Sequence, residues 1–378
     1  MQGRRATAGG VGLGFAVGWN ITNVGAVAEP LADAYGVDLA VVGLFTTSLF
    51  LVHSLVQVPS GRLADRLGAY PVGLVAALLI GTGNALALVT AQPGLALLAR
   101  GLTGLGSGAG FVAGSDYVRA AGGGATAQGL FGGSAMLGGG VALAVVPALN
   151  DSLEWRSPYL SACAVALAAA VLLAFSPRGS SLRRHQAAAP LGELVADRRL
   201  HRLSIVHMAS LGLNAVVANW TVTLLVRAGD YGLEVAGAAS ALTLGAGIVS
   251  RPLGGMLVRR KPERASRVVF ASLFLGALGT ALLAAAEPLA LVLPAATLVG
   301  LGAGLAFAPV FGAAARARPD TPGAAVGVVN MAGNLVIVGA TPLLGLTFAL
   351  PGDGRIGFLA AALLWAAAGL ALRRSSFS

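Results

Sequence analysis

The chain has 378 residues, of which 56% are hydrophobic and only 11% are charged, and its mean hydropathy is +0.81. Soluble domains carry about 25% charged residues, so this composition excludes an ordinary soluble protein and predicts a polytopic membrane protein. The formal net charge is +10, and the single cysteine, Cys163, excludes an internal disulfide and any multi-cysteine metal site.

Twelve apolar stretches follow one another along the chain, each close to the roughly 20 residues that a spanning helix needs. Numbered in order as spans 1 to 12, they cover residues 9–28, 39–58, 71–91, 94–115, 126–149, 158–175, 202–226, 236–257, 267–286, 288–313, 322–349 and 356–372. Tight turns near Pro93 and Pro288 leave open a re-entrant pair at each place. The predicted fold class is an all-α membrane protein with twelve transmembrane helices in two pseudo-symmetric six-helix bundles.

Span 1 shares some features with a cleavable signal peptide, because Arg4 and Arg5 precede it and small residues follow it at 26–28. However, the apolar run is long for a signal and carries the polar residues Asn20 and Asn23. We therefore expect this segment to be a retained transmembrane span.

One long connection lies between spans 6 and 7 and divides the chain into halves. The predicted domains are an N-terminal six-helix bundle at 1–175, a cytoplasmic linker at 176–201 and a C-terminal six-helix bundle at 202–378. The linker is rich in arginine, which in a soluble protein would suggest nucleic-acid binding. Between membrane spans, a loop that faces lipid headgroups is the better interpretation, so no nucleic-acid partner is expected.

The distribution of charge predicts the orientation. If both termini are cytoplasmic, most of the 25 Lys and Arg residues fall on inner segments, and the outer loops hold only Arg156, Arg227 and Arg355. By the positive-inside rule, this asymmetry predicts cytoplasmic termini. We expect an integral protein of the bacterial cytoplasmic (inner) membrane, with the lipid bilayer as its surroundings.

Two segments carry a family resemblance. The loop after span 2 reads GRLADRLG at 61–68, and a weaker copy follows span 8, so that Pro59 and Pro252 lie about half the chain apart. This loop resembles the signature loop of the major facilitator superfamily. The segment RGLTGLGSG at 100–108 is similar to the fourth-helix motif of that family. The chain departs from the family in two ways: Ala69 and Tyr70 replace basic residues after the loop, and the second copy has Val258 in place of the acid.

The resemblance implies a cytoplasmic latch that holds one state of a transporter closed. Glycines at both ends of the loop would allow a tight turn, and Asp65 would supply charge to a helix N-terminus or to an arginine of the opposite half. Asp116 is a candidate partner for Arg62 or Arg66. The predicted latch residues are Gly61, Asp65, Arg66, Gly68 and Asp116. A plain loop that only sets topology is the alternative.

Polar and ionisable side chains inside spans are expensive in lipid and mark a solute pathway by default. The predicted substrate-binding residues lie on spans 1, 2, 4, 7, 8 and 11, which line the cavity in the resembled fold: Asn20, Asn23, His53, Gln57, Arg100, Asn214, Asn219, Trp220, Arg251, Asn330 and Asn334. Asn84, on span 3, does not fit this pattern. For each amide, the alternative is a helix-to-helix hydrogen bond worth about 0.6 kcal/mol.

Three of these residues have sharper roles. Arg100 and Arg251 are candidates for binding an anionic group of the substrate. For both, snorkelling or capping of carbonyls on a neighbouring helix is the alternative. His53 is the candidate for carrying a coupling proton, because histidine titrates near neutral pH. A hydrogen-bonded packing role is its alternative.

The sequence has no nucleotide-binding loop with its lysine and no His/Cys cluster with metal-ligand spacing, so we expect no enzyme activity, cofactor or metal. The predicted function is gradient-driven or facilitative transport of a small polar or weakly anionic solute by rocker-switch alternating access, with the protein acting as a monomer. The alternatives are a drug or metabolite efflux antiporter, a nitrate- or cyanate-like anion porter, and a non-transporting receptor or scaffold. Span 5 lacks the Gly-Pro step of drug antiporters. Gln57 stands where nitrate porters have a second arginine.

Overall fold

The computed structural model describes residues 2–120, 125–176, 191–318 and 322–373, and the regular secondary structure in these ranges is helical throughout. The all-helical part of the predicted fold class is thereby confirmed. The α-helices are α1 (Gln2–Thr22), α2 (Ala28–Tyr35), α3 (Leu39–Leu67), α4 (Ala69–Ala87), α5 (Pro93–Ala120), α6 (Ala125–Ala148), α7 (Asn150–Leu153), α8 (Ser157–Ala174), α9 (Leu191–Val195), α10 (Arg198–His207), α11 (Asn214–Gly229), α12 (Leu233–Ser240), α13 (Leu242–Arg260), α14 (Ala265–Leu283), α15 (Leu289–Leu305), α16 (Phe307–Ala317), α17 (Pro322–Leu346) and α18 (Arg355–Arg373).

Shorter helical segments join some of these helices. A π-helical segment, Met208–Leu213, continues α10 into α11. The 3-10 turns are Gly25–Val27, Glu154–Arg156, Pro262–Arg264 and Thr347–Ala349.

Ten stretches of helix in the described ranges are long and apolar enough to cross a membrane. An eleventh is formed if the bent pair Ala8–Thr22 and Gly25–Tyr35, which meet at 42°, counts as one span. The last apolar helix, Arg355–Leu370, is shorter. These segments coincide in position with the predicted spans, but the number twelve stays a prediction.

The chain divides into two compact units. Unit 1 comprises residues 1–185 and 233–238, and unit 2 comprises residues 186–232 and 239–378. Within unit 1, α5 packs against both α3 and α4, and α4 packs against α8. Within unit 2, α15 packs against both α13 and α14, and α14 packs against α18. The same packing scheme therefore occurs in each unit, as an internal sequence repeat implies.

The small residues after Arg100 form a packing surface of α5. Gly104 lies against the backbone of Leu49 on α3, and Gly108 lies against the backbone of His53 one turn further along, so that a Cβ at either glycine would collide with a carbonyl group. Helices in lipid associate through such close approach, because no hydrophobic effect drives them together there. The motif-like run in α5 therefore has a structural role in fixing α5 against α3.

Asp197 ties together three helix ends of unit 2. It caps α10 by accepting a hydrogen bond from the backbone N–H of Arg199 at 2.8 Å. Nε of Arg318, at the end of α16, donates to the same carboxylate at 2.8 Å, and its Nη2 donates to the carbonyl of Glu193 on α9 at 3.2 Å. The helix therefore begins at Arg198, earlier than the predicted start of span 7, because this cap satisfies its free N–H groups.

Replacement of Asp197 by alanine is expected to lower the free energy of unfolding by about 1 kcal/mol, the usual loss for an N-cap. Burial opposes ionisation of Asp197, but hydrogen bonds from Arg199 and Arg318 outweigh it, so the pKa of this carboxyl lies below its ordinary value of 3.8. A depressed pKa stabilises the folded state above pH 3.8, and this stabilisation disappears as the pH falls through the lower folded-state pKa.

Thermal unfolding of the detergent-solubilised protein at pH 7 and at successively lower pH measures this effect. The difference in Tm between wild type and Asp197→Ala should shrink as the pH falls below 3.8. Asp33→Ala, at an exposed position of α2, is the control and should match wild type at neutral pH. A difference that does not change with pH would contradict the assigned role of the carboxylate.

Candidate functional site

Arg100 is enclosed within unit 1, where it is 1% exposed. Its Nη2 donates to the carbonyl of Asn20 at 2.7 Å, and its Nη1 donates to Oδ1 of Asn23 at 3.4 Å. Its Nε donates to the carbonyl of Phe45 on α3 at 3.5 Å, while Nδ2 of Asn23 donates to the carbonyl of Pro158 at 2.9 Å. The guanidinium therefore caps backbone carbonyls of neighbouring helices, as the alternative interpretation of Arg100 expects. In doing so, it joins α1, α3 and α5.

The side chain of Asn20 is also engaged inside unit 1. Its Nδ2 donates to the carbonyl of Ala16 at 2.9 Å, and its Oδ1 accepts a hydrogen bond from Nδ2 of Asn84 at 2.9 Å. Asn84, the amide that does not fit the predicted cavity pattern, thus lies in the same network. We therefore place Asn20, Asn23 and Arg100 in the packing of unit 1 and leave them out of the proposed solute site.

His53 and Gln57 lie one turn apart on α3. Nδ1 of His53 is 3.0 Å from the hydroxyl of Ser107 on α5, and its ring lies between Phe50 and Phe111, with centroid distances of 5.7 and 6.2 Å. Within the described part of the chain, Nε2 of Gln57 has no hydrogen-bond partner. His53 therefore has the contacts of a hydrogen-bonded packing residue, which was the alternative interpretation. Its role in proton coupling stays a prediction.

The predicted latch loop is mostly helical. Gly61 lies inside α3, which continues to Leu67, so the expectation of a turn at Gly61 is wrong; glycine is common within transmembrane helices. Gly68 alone makes the turn into α4, with a φ of 91° that favours glycine. Arg66 is exposed, and Asp116 is half-buried on α5. The side chains of Arg62 and Asp65 lie outside the described residues, so the latch stays a prediction.

Unit 2 brings Arg251 and His207 to the same aromatic ring, that of Phe307. Cζ of Arg251, on α13, lies 4.1 Å from the ring centroid of Phe307. The ring of His207, at the end of α10, lies 6.4 Å from Phe307 and 4.8 Å from Phe311. The Nε2 atom of His207 is 3.3 Å from Oδ1 of Asn330 on α17. A planar guanidinium can contact an aromatic face while its N–H groups donate hydrogen bonds to acceptor oxygens.

A π-helical segment, Met208–Leu213, separates His207 from Asn214. Such segments are rare within helices and are found frequently at functional sites. The residues that flank this one are both buried, each being 1% exposed. The interruption therefore lies between two of the predicted substrate residues.

Close packing holds the π-helical segment in place. A Cβ at Gly212 would lie 2.8 Å from the carbonyl oxygen of Gly333 on α17, so the two helices approach closely here. The indole N–H of Trp365, on α18, donates to the carbonyl of Ala209 within the segment. The segment therefore has contacts with both α17 and α18.

Asn214 and Asn334 carry buried polar atoms without partners. Asn214 is 1% exposed and Asn334 is 3% exposed. Among the described residues, neither Oδ1 nor Nδ2 of Asn214 has a hydrogen-bond partner, and the same holds for Nδ2 of Asn334 and Nδ1 of His207. An unsatisfied buried polar group costs about 1–3 kcal/mol, so each of these atoms is expected to have a partner, such as a water molecule or a bound solute.

The neighbouring residues Asn219 and Trp220 have different surroundings. Nε1 of Trp220 donates to the carbonyl of Thr341 at 2.9 Å, and its ring lies 5.4 Å from that of Phe348, so its N–H group is used in packing. Nδ2 of Asn219 donates to the carbonyl of its own helix at Ala215. Its Oδ1 has no partner among the residues that the structure describes.

Two features of this site were not predicted, and they differ in whether the sequence could have indicated them. Phe307 and Phe311 are spaced so that they share a helix face, and this spacing could have indicated an aromatic pair. The π-helical segment has no recognisable sequence signal, and its contacts are with residues of α17 and α18 that are distant in the sequence. In the described ranges, no group of three or more His, Cys, Asp or Glu residues could hold a metal ion.

Comparisons with known proteins agree with this architecture. The family model described as Major Facilitator Superfamily matches residues 10–341. A protein described as "Probable sulfoacetate transporter SauU", from Cupriavidus necator, is 25% identical to this chain over 285 residues. The match covers 68% of this chain and 66% of that protein, so it spans just under two thirds of the relative's length. The crystal structure of the nucleoside transporter NupG has a TM-score of 0.78 at 16% identity and covers 99% of both chains. At that identity, the likeness to NupG shows the fold alone.

Proposed function

The chain belongs to the major facilitator superfamily, and from this premise we propose that it transports a small polar or weakly anionic organic solute across a membrane. Transport is gradient-driven or facilitative and proceeds by rocker-switch alternating access. The protein acts as a monomer in the bacterial inner membrane, with both termini in the cytoplasm, as the distribution of arginines in the sequence predicts.

The observation that carries this proposal is the group formed by Arg251, His207, Phe307 and Phe311 in unit 2. A guanidinium 4.1 Å from an aromatic centroid, beside a histidine and an asparagine, offers one positive charge and several polar atoms in apolar surroundings. A charge inside a span is costly and therefore marks a functional site by default. One arginine with several amides suits a solute that carries one anionic group and further polar groups.

The relative from Cupriavidus necator supports an anionic organic solute, since its name refers to sulfoacetate. A carboxylate and a sulfonate present similar oxygen acceptors to an arginine, so both belong to the proposed solute class. The degree of identity between the two proteins does not extend this to sulfoacetate itself.

A nitrate- or cyanate-like anion porter is the second candidate, because Arg251 would serve an inorganic anion as well. It fits less well, because Gln57 stands at the place of a second arginine and the unpartnered amides of Asn214 and Asn334 would have no role. We propose His53 as the candidate for proton coupling and Gly68, Arg66, Asp65 and Asp116 as latch candidates, on the grounds of the family resemblance.

Uptake into proteoliposomes tests the proposed function. The panel contains short carboxylates, short sulfonates including sulfoacetate, nitrate, and an uncharged nucleoside, each with and without a proton gradient. We expect uptake of at least one small organic anion above the level of protein-free liposomes. Binding of such a solute without any flux would instead support the receptor or scaffold class. Uptake of nitrate alone would support the inorganic-anion porter.

A further inference from the structure

The helix that carries Phe307 is interrupted just before this residue. α15 and α16 meet at Ala306, which belongs to neither helix. In a regular α-helix, the N–H of Ala306 would donate to the carbonyl of Gly302. Here that N–H points to the carbonyl of Gly304 and to a side chain of another helix. The break therefore falls one residue before the ring that Arg251 contacts.

The side chain of Ser272, on α14, occupies the interrupted position. Its Oγ accepts a hydrogen bond from the N–H of Ala306 at 3.1 Å, and its O–H donates to the carbonyl of Gly302. The hydroxyl is therefore inserted between the two groups that would bond each other in a regular helix. Insertion of a side chain into the helical hydrogen-bond ladder is a known cause of a helix kink. Ser272 and Ala306 are both fully buried, so the hydroxyl satisfies backbone groups that water does not reach.

The end of α15 is held between α13 and α14 by close backbone approach. Gly302 lies against α14, where a Cβ would be 2.8 Å from the carbonyl oxygen of Ser272. Gly304 lies against α13, where a Cβ would be 3.0 Å from the backbone nitrogen of Arg251. Because the backbones of α13 and α15 touch at this level, the course of the chain beyond the break decides whether Phe307 reaches the guanidinium.

α16 carries the two aromatic rings of the proposed site. Phe307 lies beside Arg251 and His207, and Phe311 lies beside His207. The centroids of the two phenylalanine rings are 4.5 Å apart. The N–H of Val310 donates to the carbonyl at the break at 3.0 Å, so α16 is regular from its first turn. Any change of direction at the break therefore moves both rings together.

From these observations we propose that Ser272 is a positioning residue for the anion site. Its hydroxyl keeps the helix open at Ala306, and the open helix holds the ring of Phe307 against Arg251. The ring limits the guanidinium to one orientation, so that less conformational freedom is lost when an anion binds. This inference rests on the proposed transport of a small organic anion and adds a residue of α14 that acts on the solute through Phe307.

Replacement of Ser272 by alanine removes the inserted hydroxyl and allows the N–H of Ala306 to bond the carbonyl of Gly302 directly. Crystal structures of wild type and Ser272→Ala measure this change without any solute. In the variant, the distance from this nitrogen to this oxygen should fall to about 3 Å. Cζ of Arg251 should lie farther than about 6 Å from the ring centroid of Phe307, beyond the range of a cation–π contact. A variant that keeps the break and the contact would overturn the proposal.

Binding of sulfoacetate, propane-1-sulfonate and butyrate to the full-length protein in lipid nanodiscs is measured by calorimetry. For the probe that wild type binds most tightly, Ser272→Ala should raise the Kd about three- to tenfold, the usual effect of having to order one long side chain. Ser272→Thr keeps the hydroxyl and should stay within about twofold of wild type. The control is Thr280→Val, which removes a buried hydroxyl on α14 whose Oγ1 lacks a partner among the described residues. It should match wild type.

A double-mutant cycle with Phe307→Leu separates positioning from a general loss of stability. If Ser272 acts through the ring, Ser272→Ala should change the Kd less than about twofold when Phe307 is already leucine. Equal effects of Ser272→Ala in both backgrounds would overturn the positioning role. A lower Tm with unchanged affinity in Ser272→Ala would overturn it as well.

The proteoliposome assay separates this failure from failure of the proposed function. Uptake of a probe by wild type and Ser272→Ala with equal affinity leaves transport of organic anions standing and overturns the positioning role alone. Absence of both binding and uptake for every organic anion overturns both proposals, whatever the pair of crystal structures shows.

Discussion

Replacement of Arg251 by glutamine is expected to lower the uptake of a small organic anion by one to two orders of magnitude. A charge-assisted hydrogen bond contributes about 1.5–3 kcal/mol, and in the group of Arg251, His207, Phe307 and Phe311 only Arg251 carries a permanent charge. Glutamine retains hydrogen-bonding atoms but has no charge and no planar fork. Arg251→Lys should recover part of the uptake, since a single ammonium group restores the charge without the bidentate geometry.

Initial rates of uptake in proteoliposomes, normalised to the amount of inserted protein, measure this effect. Arg259→Gln is the matched control, because Arg259 lies on the same helix at an exposed position, and its uptake should equal that of wild type. The Tm of Arg251→Gln should stay within a few degrees of wild type. Normal transport by folded Arg251→Gln would remove Arg251 from the solute site.

Replacement of Arg100 by alanine is expected to have the opposite pattern, with a large loss of stability and retained binding by the molecules that fold. The substitution leaves a cavity between α1, α3 and α5 and removes the donor to Oδ1 of Asn23. It also removes the donors to the carbonyls of Asn20 and Phe45. From typical costs of buried cavities and unsatisfied acceptors, we expect a loss of about 2–4 kcal/mol.

Thermal unfolding and the fraction of monodisperse protein in detergent measure the stability of Arg100→Ala, and calorimetry measures solute binding by the monodisperse fraction. Arg100→Met fills most of the volume without donating hydrogen bonds, so it should fall between alanine and wild type. Arg100→Ala with an unchanged Tm and abolished binding would show instead that the guanidinium serves the solute.

Arg100 and Arg251 show what a sequence pattern can predict about a buried arginine and what it cannot. Both stand inside apolar spans, so both are equally good candidates for binding an anion on the grounds of desolvation. Their partners come from positions far along the chain, since Arg100 contacts residues of α1 and α3, and Arg251 contacts Phe307 of α16. Which groups surround each guanidinium depends on helix packing, and no local pattern encodes it.

The asparagines divide in the same way. Asn20 and Asn23 have hydrogen bonds to distant parts of unit 1, whereas Asn214 and Asn334 have buried amide atoms that nothing in the described part of the chain satisfies. The intramembrane positions of all four could be recognised from the sequence. Their different roles could not, because a side chain's hydrogen bonds depend on which helices become its neighbours.

The sequence by itself determined the helical class, the positions of the membrane segments and the family. These features follow from local chemistry, because the bilayer interior requires continuous apolar runs with internally bonded backbone, and the signature loop is a contiguous string of residues. The tertiary structure alone decided that α3 continues through Gly61, that a π-helical segment lies beside His207, and that His207, Arg251 and the two phenylalanines meet. The physical reason is that close packing between helices sets local helix geometry and brings together side chains that are remote in sequence.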